Sequence, residues 1–152
     1  MHVPDYAAQR PRYKGHLVPF TALWRGDIPD FKVVDPEMVY ACVNERLCGI
    51  CGNKIGPRGV FIGGSESIKT LLFTDPAMHA ACAAYAYSAC PFLSGKITEM
   101  STNHANDVVV NIYVSPQRPA AFYTLSTTDW RFTRHKGELF ILAKSGHVGE
   151  IK

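Results

Sequence analysis

Apolar positions follow two different rhythms along the chain. Val39, Cys42, Val43 and then Arg46 recur at three- and four-residue steps, the period of one helical face. Just ahead lies Asp35-Pro36-Glu37, where Asp can cap free amides and Pro suits a first helical position that needs no donor. The same period returns at Met78, Ala81, Cys82, Tyr85 and Ala89, after a second Asp75-Pro76 pair, and Pro91 stops this helix just beyond Cys90. The rhythm then changes to two. Val108, Val110, Ile112 and Val114 share one face of a strand, and further strands are expected near 121–125 and 138–143. Between the helices, Val60-Phe61-Ile62 and Thr70-Leu71-Leu72-Phe73 read as a hairpin around Gly63-Gly64-Ser65-Glu66-Ser67.

Residues 1–30 break both rhythms. Pro4, Pro11, Pro19 and Pro29 among Arg10, Arg12, Lys14 and Arg25 predict an irregular arm lying over the core, with Phe20, Trp24 and Phe31 as its anchors. Phe31-Lys32-Val33-Val34 then reads as a short strand. With 152 residues, the expectation is a single α+β domain: arm 1–30, a helix- and hairpin-bearing unit 36–93, and a β-rich part 94–152 that ends in an antiparallel sheet.

Composition narrows the class only a little. A formal charge of +3 permits an anionic partner without demanding one. The five cysteines are an odd number, Met1 is not followed by a signal-peptide core, and no apolar run approaches the roughly 20 residues of a membrane span. These features predict a soluble, reduced, cytoplasmic protein with no membrane partner.

The chemistry is concentrated in four residues. Cys48 and Cys51 lie in Leu47-Cys48-Gly49-Ile50-Cys51-Gly52, and His79 and Cys82 in Pro76-Ala77-Met78-His79-Ala80-Ala81-Cys82. Two soft thiolates on a turn and two ligands one helical turn apart match a tetrahedral zinc site, Cys-x2-Cys…His-x2-Cys. Gly49 and Gly52 let the knuckle curl so that amides point at sulfur, and the positive end of a helix favours the thiolate of Cys82. Four protein ligands leave no open position, so one structural zinc is expected. Cys90 is the competing fourth ligand, but eight residues beyond Cys82 on one helix is about 12 Å. Cys42 and Cys90 therefore read as small core residues.

Knuckle, hairpin and a helix carrying the second ligand pair follow one another as in treble-clef zinc folds, which residues 47–90 resemble. Through Leu47-Cys48-Gly49-Ile50-Cys51-Gly52, Asp75-Pro76-Ala77-Met78-His79 and Cys90-Pro91-Phe92-Leu93, the whole chain resembles a loosely defined group of phage and actinobacterial zinc proteins. That resemblance implies a shared architecture and no particular activity.

Catalytic readings lack residues. An HNH-type nuclease needs a histidine on the hairpin, and 54–74 contain none; His104 with Asn103, Asn106 and Asp107 reads as a polar turn. A zinc deaminase needs His-x-Glu, whereas His79 is followed by Ala80 and Ala81. A thioredoxin-like Cys-x-x-Cys should open a helix, but Gly52-Asn53-Lys54 leads into strands.

Two binding classes remain. Trp130-Arg131-Phe132-Thr133-Arg134-His135-Lys136 interleaves aromatics with Arg131, Arg134 and Lys136, a pattern suited to phosphates and stacked bases. It is equally the pattern of a strand with Trp130 and Phe132 inward and a polar hairpin tip. The leading expectation is a non-enzymatic, zinc-stabilised protein-interaction module, phage-encoded and acting on a host protein, with nucleic acid as the alternative partner.

Overall fold

The computed structural model describes residues 3–89 and 121–151. The chain is mixed α+β, and the strands among the described residues all pair antiparallel. A 3-10 turn (Asp5–Ala7) leads into two small hairpins, β1 (Arg12–Tyr13) with β2 (His16–Leu17) and β3 (Ala22–Arg25) with β4 (Ile28–Val34). Helix α1 (Pro36–Glu45), strand β5 (Gly59–Gly63), the short helix α2 (Ser65–Thr70), strand β6 (Leu72–Phe73) and helix α3 (Ala80–Ala89) follow. The C-terminal strands are β7 (Phe122–Thr127), β8 (Trp130–His135), β9 (Glu138–Ala143) and β10 (His147–Ile151).

Helix α1 starts where its local chemistry says it should. The Asp35 carboxylate accepts the Glu37 amide at 3.0 Å, and Pro36 occupies the first turn. Val39, Cys42 and Val43 form its buried face. Arg46 ends it in the left-handed region at φ 57°. From there its guanidinium donates to the carbonyls of Thr128 (3.1 Å) and Gly56 (3.0 Å) and lies 4.2 Å from the Trp130 ring centroid.

The expected hairpin between residues 60 and 73 does not form. Ser65–Thr70 is helical, with Gly64 ahead of it, Leu71 closing it at φ 61° and Ile68 turned to the core. Strands β5 and β6 consequently leave for different sheets, ordered β10-β7-β5 and β6-β9-β8. Each three-stranded sheet thus joins one strand from the first half of the chain to two from the second.

The core lies where these sheets meet. Phe61 of β5 stacks on Phe73 of β6 with centroids 4.7 Å apart and meets Trp130 of β8 edge-on at 5.6 Å. Leu125, Ile141, Ala77 and Met78 complete the cluster. Backbone approach is tight here: a Cβ on Gly59 would lie 2.7 Å from the Trp130 ring and 3.0 Å from Ala77. Fully burying a side chain of the size of Phe61 contributes about 1.5–3 kcal/mol.

The N-terminal segment is more regular than its prolines suggest. Tyr13↔His16 closes over Lys14 (φ 51°) and Gly15 (φ 82°), the two positive values of a type I′ turn. Ala7, Leu17 and Val18 are among its buried residues, with Phe20 half-buried. Trp24 and Phe31, expected as anchors, are 39% and 49% exposed. They stand on a two-stranded ribbon whose register shifts between Ala22 and Leu23, so alternation cannot bury them. The expected strand at 31–34 is the end of β4; those near 121–125 and 138–143 are β7 and β9. Val108 to Val114, Cys90, Pro91 and His104 fall outside the described residues. Among the described residues no helix is long and apolar enough to cross a membrane.

Candidate metal centre

The knuckle is built by backbone bonds. Leu47 and Lys54 form an isolated bridge, the Cys48 amide donates to the Asn53 carbonyl (2.8 Å), and the Gly52 amide returns to the Cys48 carbonyl (2.9 Å). Gly52 sits at φ +76°, and a Cβ there would come within 2.5 Å of the Phe20 ring. Both facts demand glycine, one through backbone conformation and the other through space.

The second ligand pair arrives differently from expectation. Asp75-Pro76 does not open α3; the helix begins at Ala80. Residues 77–79 are held by distant partners first: Ala77 accepts the Gly49 amide, Met78 exchanges both backbone bonds with Val60 at 2.8 and 2.9 Å, and the His79 amide faces Cys48 Sγ at 3.4 Å. His79 then accepts the Ala83 amide as the first helical bond, so it stands at the N-cap and Cys82 three residues on.

Cys48 Sγ, Cys51 Sγ, Cys82 Sγ and one nitrogen of His79 lie within 4.8 Å of one another. A tetrahedron with metal–sulfur bonds of 2.3 Å and metal–nitrogen bonds near 2.05 Å has edges of about 3.8 Å between sulfurs and about 3.6 Å from sulfur to nitrogen. His79 Nδ1 is 3.4 Å from Cys51 Sγ and 4.0 Å from Cys82 Sγ, which brackets that edge. The other ring nitrogen, Nε2, is 2.9 Å from the Lys54 carbonyl. A carbonyl can only accept, so Nε2 carries the hydrogen and Nδ1 offers its lone pair to the sulfurs. Amides complete the sulfur surroundings, with the Asn53 N–H 3.4 Å from Cys51 Sγ.

The donor set therefore fits a soft or borderline divalent ion. The three thiols also perturb one another electrostatically. Hydrogen bonding from the Cys82 thiol, helped by backbone amides, pulls the Cys48 thiol down to about 5 despite its burial. In return Cys82, hydrogen-bonded to the Cys48 sulfur and buried, is driven well up, and burial also raises Cys51. Three crowded thiols share protons that a divalent cation would displace.

All four expected ligands converge. Cys42 does not join them; it is fully buried, and burial pushes its thiol up to about 12. Cys90 lies outside the described residues. The cation group of 131–136 is not gathered. Arg131 pairs with Leu142 and Arg134 with Leu139, so three positions apart on β8 they point to opposite faces, while Lys136 sits in the tip at φ 52°. Arg134 donates to the Gly137 carbonyl at 3.3 Å. Trp130 is only 7% exposed, and Phe132 packs edge-on against Tyr40, so neither ring stands free for stacking.

Residues around the ligands escaped the sequence reading. The Tyr6 ring lies 4.3 Å from the His79 ring, and the Asn53 side chain donates to the Tyr6 carbonyl at 3.1 Å. Nothing local to Tyr6 announces a partner more than 70 residues away. Comparison with protein-family models, curated proteins and solved structures finds no match for this chain.

Proposed function

We propose that this chain is a zinc-stabilised protein-interaction module rather than an enzyme. The observation that carries the reading is the completeness of the ligand set: three thiols and an imidazole converge with second-sphere bonds already in place. Zinc suits such sulfur-rich tetrahedral donors, and with four protein ligands it would hold the fold while leaving no position for substrate. The treble-clef reading keeps its knuckle and helix but lacks the hairpin, so we retain it only for the arrangement of ligands. Exposed Trp24, Ile28 and Phe31 on the β3–β4 ribbon supply the surface we assign to a partner. Nucleic acid is the weaker reading, because the aromatics beside Arg131 and Arg134 are packed inward.

Metal analysis of the purified protein tests the first half, with one zinc per chain expected. For the second, the resemblance to phage zinc proteins makes a bacterial lysate the first source of partners. A partner retained by wild type and lost from Phe31→Asp, at unchanged zinc content, supports the surface; equal retention would place the interface elsewhere.

A further inference from the structure

We propose that residues 3–22 form a strap clamped by the metal centre, so that metal occupancy and docking of this segment are thermodynamically linked. The inference rests on the metal reading above. Its basis is where the strap makes its contacts. Tyr6 lays its ring on the ligand His79, tilted by 33°, and its carbonyl takes the Asn53 side-chain bond. Further along, the Phe20 amide donates to the Ile50 carbonyl at 2.9 Å, and the Thr21 amide and hydroxyl both reach the Gly49 carbonyl at 3.4 Å. The Phe20 ring covers the bare face of Gly52. Ala7 and Leu17 share one buried cluster with Cys48, Cys51 and Cys82.

These partners, residues 49–53 and 79, belong to the knuckle or are themselves a ligand. Gly49 and Ile50 lie between Cys48 and Cys51, so the carbonyls that receive the strap are aimed by the two cysteines that grip the ion. Without the ion the His79 ring and the knuckle lose their common fixed point, and the strap loses its platform. Linkage is reciprocal: whatever factor the metal adds to strap docking, the docked strap adds to metal affinity. Tyr6 is then a positioning residue for the metal centre although it ligates nothing.

The test compares zinc-loaded wild type, Tyr6→Phe and Tyr6→Ala in two measurements: the rate of zinc transfer to a colorimetric chelator, and tryptic cleavage after the exposed Arg12 and Lys14. Zinc stoichiometry of one is expected in all three. A ring contact of ordinary strength predicts transfer about 3- to 10-fold faster for Tyr6→Ala, with Tyr6→Phe matching wild type because the ring does the stacking. Cleavage after Arg12 and Lys14 should accelerate in zinc-loaded Tyr6→Ala, and on chelation of wild type should precede cleavage after Lys69 or Lys144. Wild-type rates for Tyr6→Ala in both measurements, with zinc bound, would overturn the strap and leave the metal centre intact. Absence of zinc from wild type would remove the metal reading and the strap with it, and the metal analysis separates that outcome from the first.

Discussion

The candidate metal centre and the aromatic core lie side by side, the first drawn from residues 48–82 and the second from residues 61–130, and they differ in what they ask of their side chains. At the centre, the donor atoms of Cys48, Cys51, His79 and Cys82 converge within 4.8 Å of one another, and His79 Nδ1 stands 3.4 and 4.0 Å from two of the sulfurs. In the core, Phe61, Phe73 and Trp130 fill a volume between two sheets, and many small contacts do what a few directed bonds to an ion would do next door. Coordination needs particular atoms, so it tolerates almost no substitution and leaves a spacing in the sequence. Packing needs shape, so it tolerates apolar replacement and leaves only a period. Arg46 joins the two, since it follows the knuckle-leading helix and reaches the Trp130 face.

Breaking the coordination should have the largest effect. Cys48→Ser with Cys51→Ser, or chelation of the wild type, is expected to lower stability by several kcal/mol, because binding energy at a structural site is folding energy. Thermal denaturation with metal content measured on the same sample checks this. Zinc fully retained by the double variant would show that the ligands are wrong.

Phe61→Ala attacks the other side. It should cost about 3–5 kcal/mol through a cavity between the sheets, yet leave one zinc per chain if the folded fraction is analysed. Urea unfolding gives the first quantity and metal analysis the second. If zinc is lost with the ring, the two regions are one cooperative unit rather than neighbours.

Arg46→Ala probes the link between them. It removes two bonds to carbonyls and a cation–ring contact, from a half-buried position, so about 1–2 kcal/mol is expected. A double-variant cycle with Trp130→Leu should show coupling, since the two side chains touch.

Cys42→Ala is smaller and separates a buried thiol from a ligand. A loss of about 1 kcal/mol is expected with zinc stoichiometry unchanged. It also carries a pH signature. Below the ordinary thiol value near 9, Cys42 is neutral whether folded or unfolded and adds no pH dependence. From there to about 12 the unfolded chain ionises while the buried thiol does not, so wild-type stability falls with rising pH through that window. Chemical denaturation between pH 8 and 10.5 should show the wild type losing more stability than Cys42→Ala. Parallel curves would mean that Cys42 is not as desolvated as its burial implies.

The same contrast explains what could be read from the sequence. The convergence of Cys48, Cys51, His79 and Cys82 was legible because metal chemistry restricts both residue type and spacing. Helix α1 was legible because Asp35 and Pro36 act on amides within one turn. The identical Asp75-Pro76 signal failed: Val60 claims the backbone of Met78 and Cys48 the amide of His79, so long-range pairing overrides the local cap. Strands β5 and β6 were legible as apolar runs, but a period of two does not name a partner. The turn formers Gly64, Ser65 and Ser67 concealed a short helix that sends the strands apart. Likewise the N-terminal prolines concealed two hairpins, because Pro11, Pro19 and Pro29 sit at strand margins or within a ribbon rather than in a sheet interior.

The smallest effects are expected at the cations first read as a nucleic-acid surface. Arg131→Glu, Arg134→Glu and Lys136→Glu change exposed side chains, so each should shift stability by no more than about 0.5 kcal/mol and leave zinc in place. Because Arg131 and Arg134 project from opposite faces of β8, a polyanion following one face meets only part of the group. If the wild type binds DNA or RNA at all, the salt slope should change by no more than about one charge for each reversal, and by different amounts at 131 and 134. Equal, near-complete loss of salt-dependent binding at all three positions would mean that the phosphate track wraps around the hairpin tip. That outcome would restore nucleic acid as the leading partner, since a tip gripped from both faces needs no free aromatic ring on either.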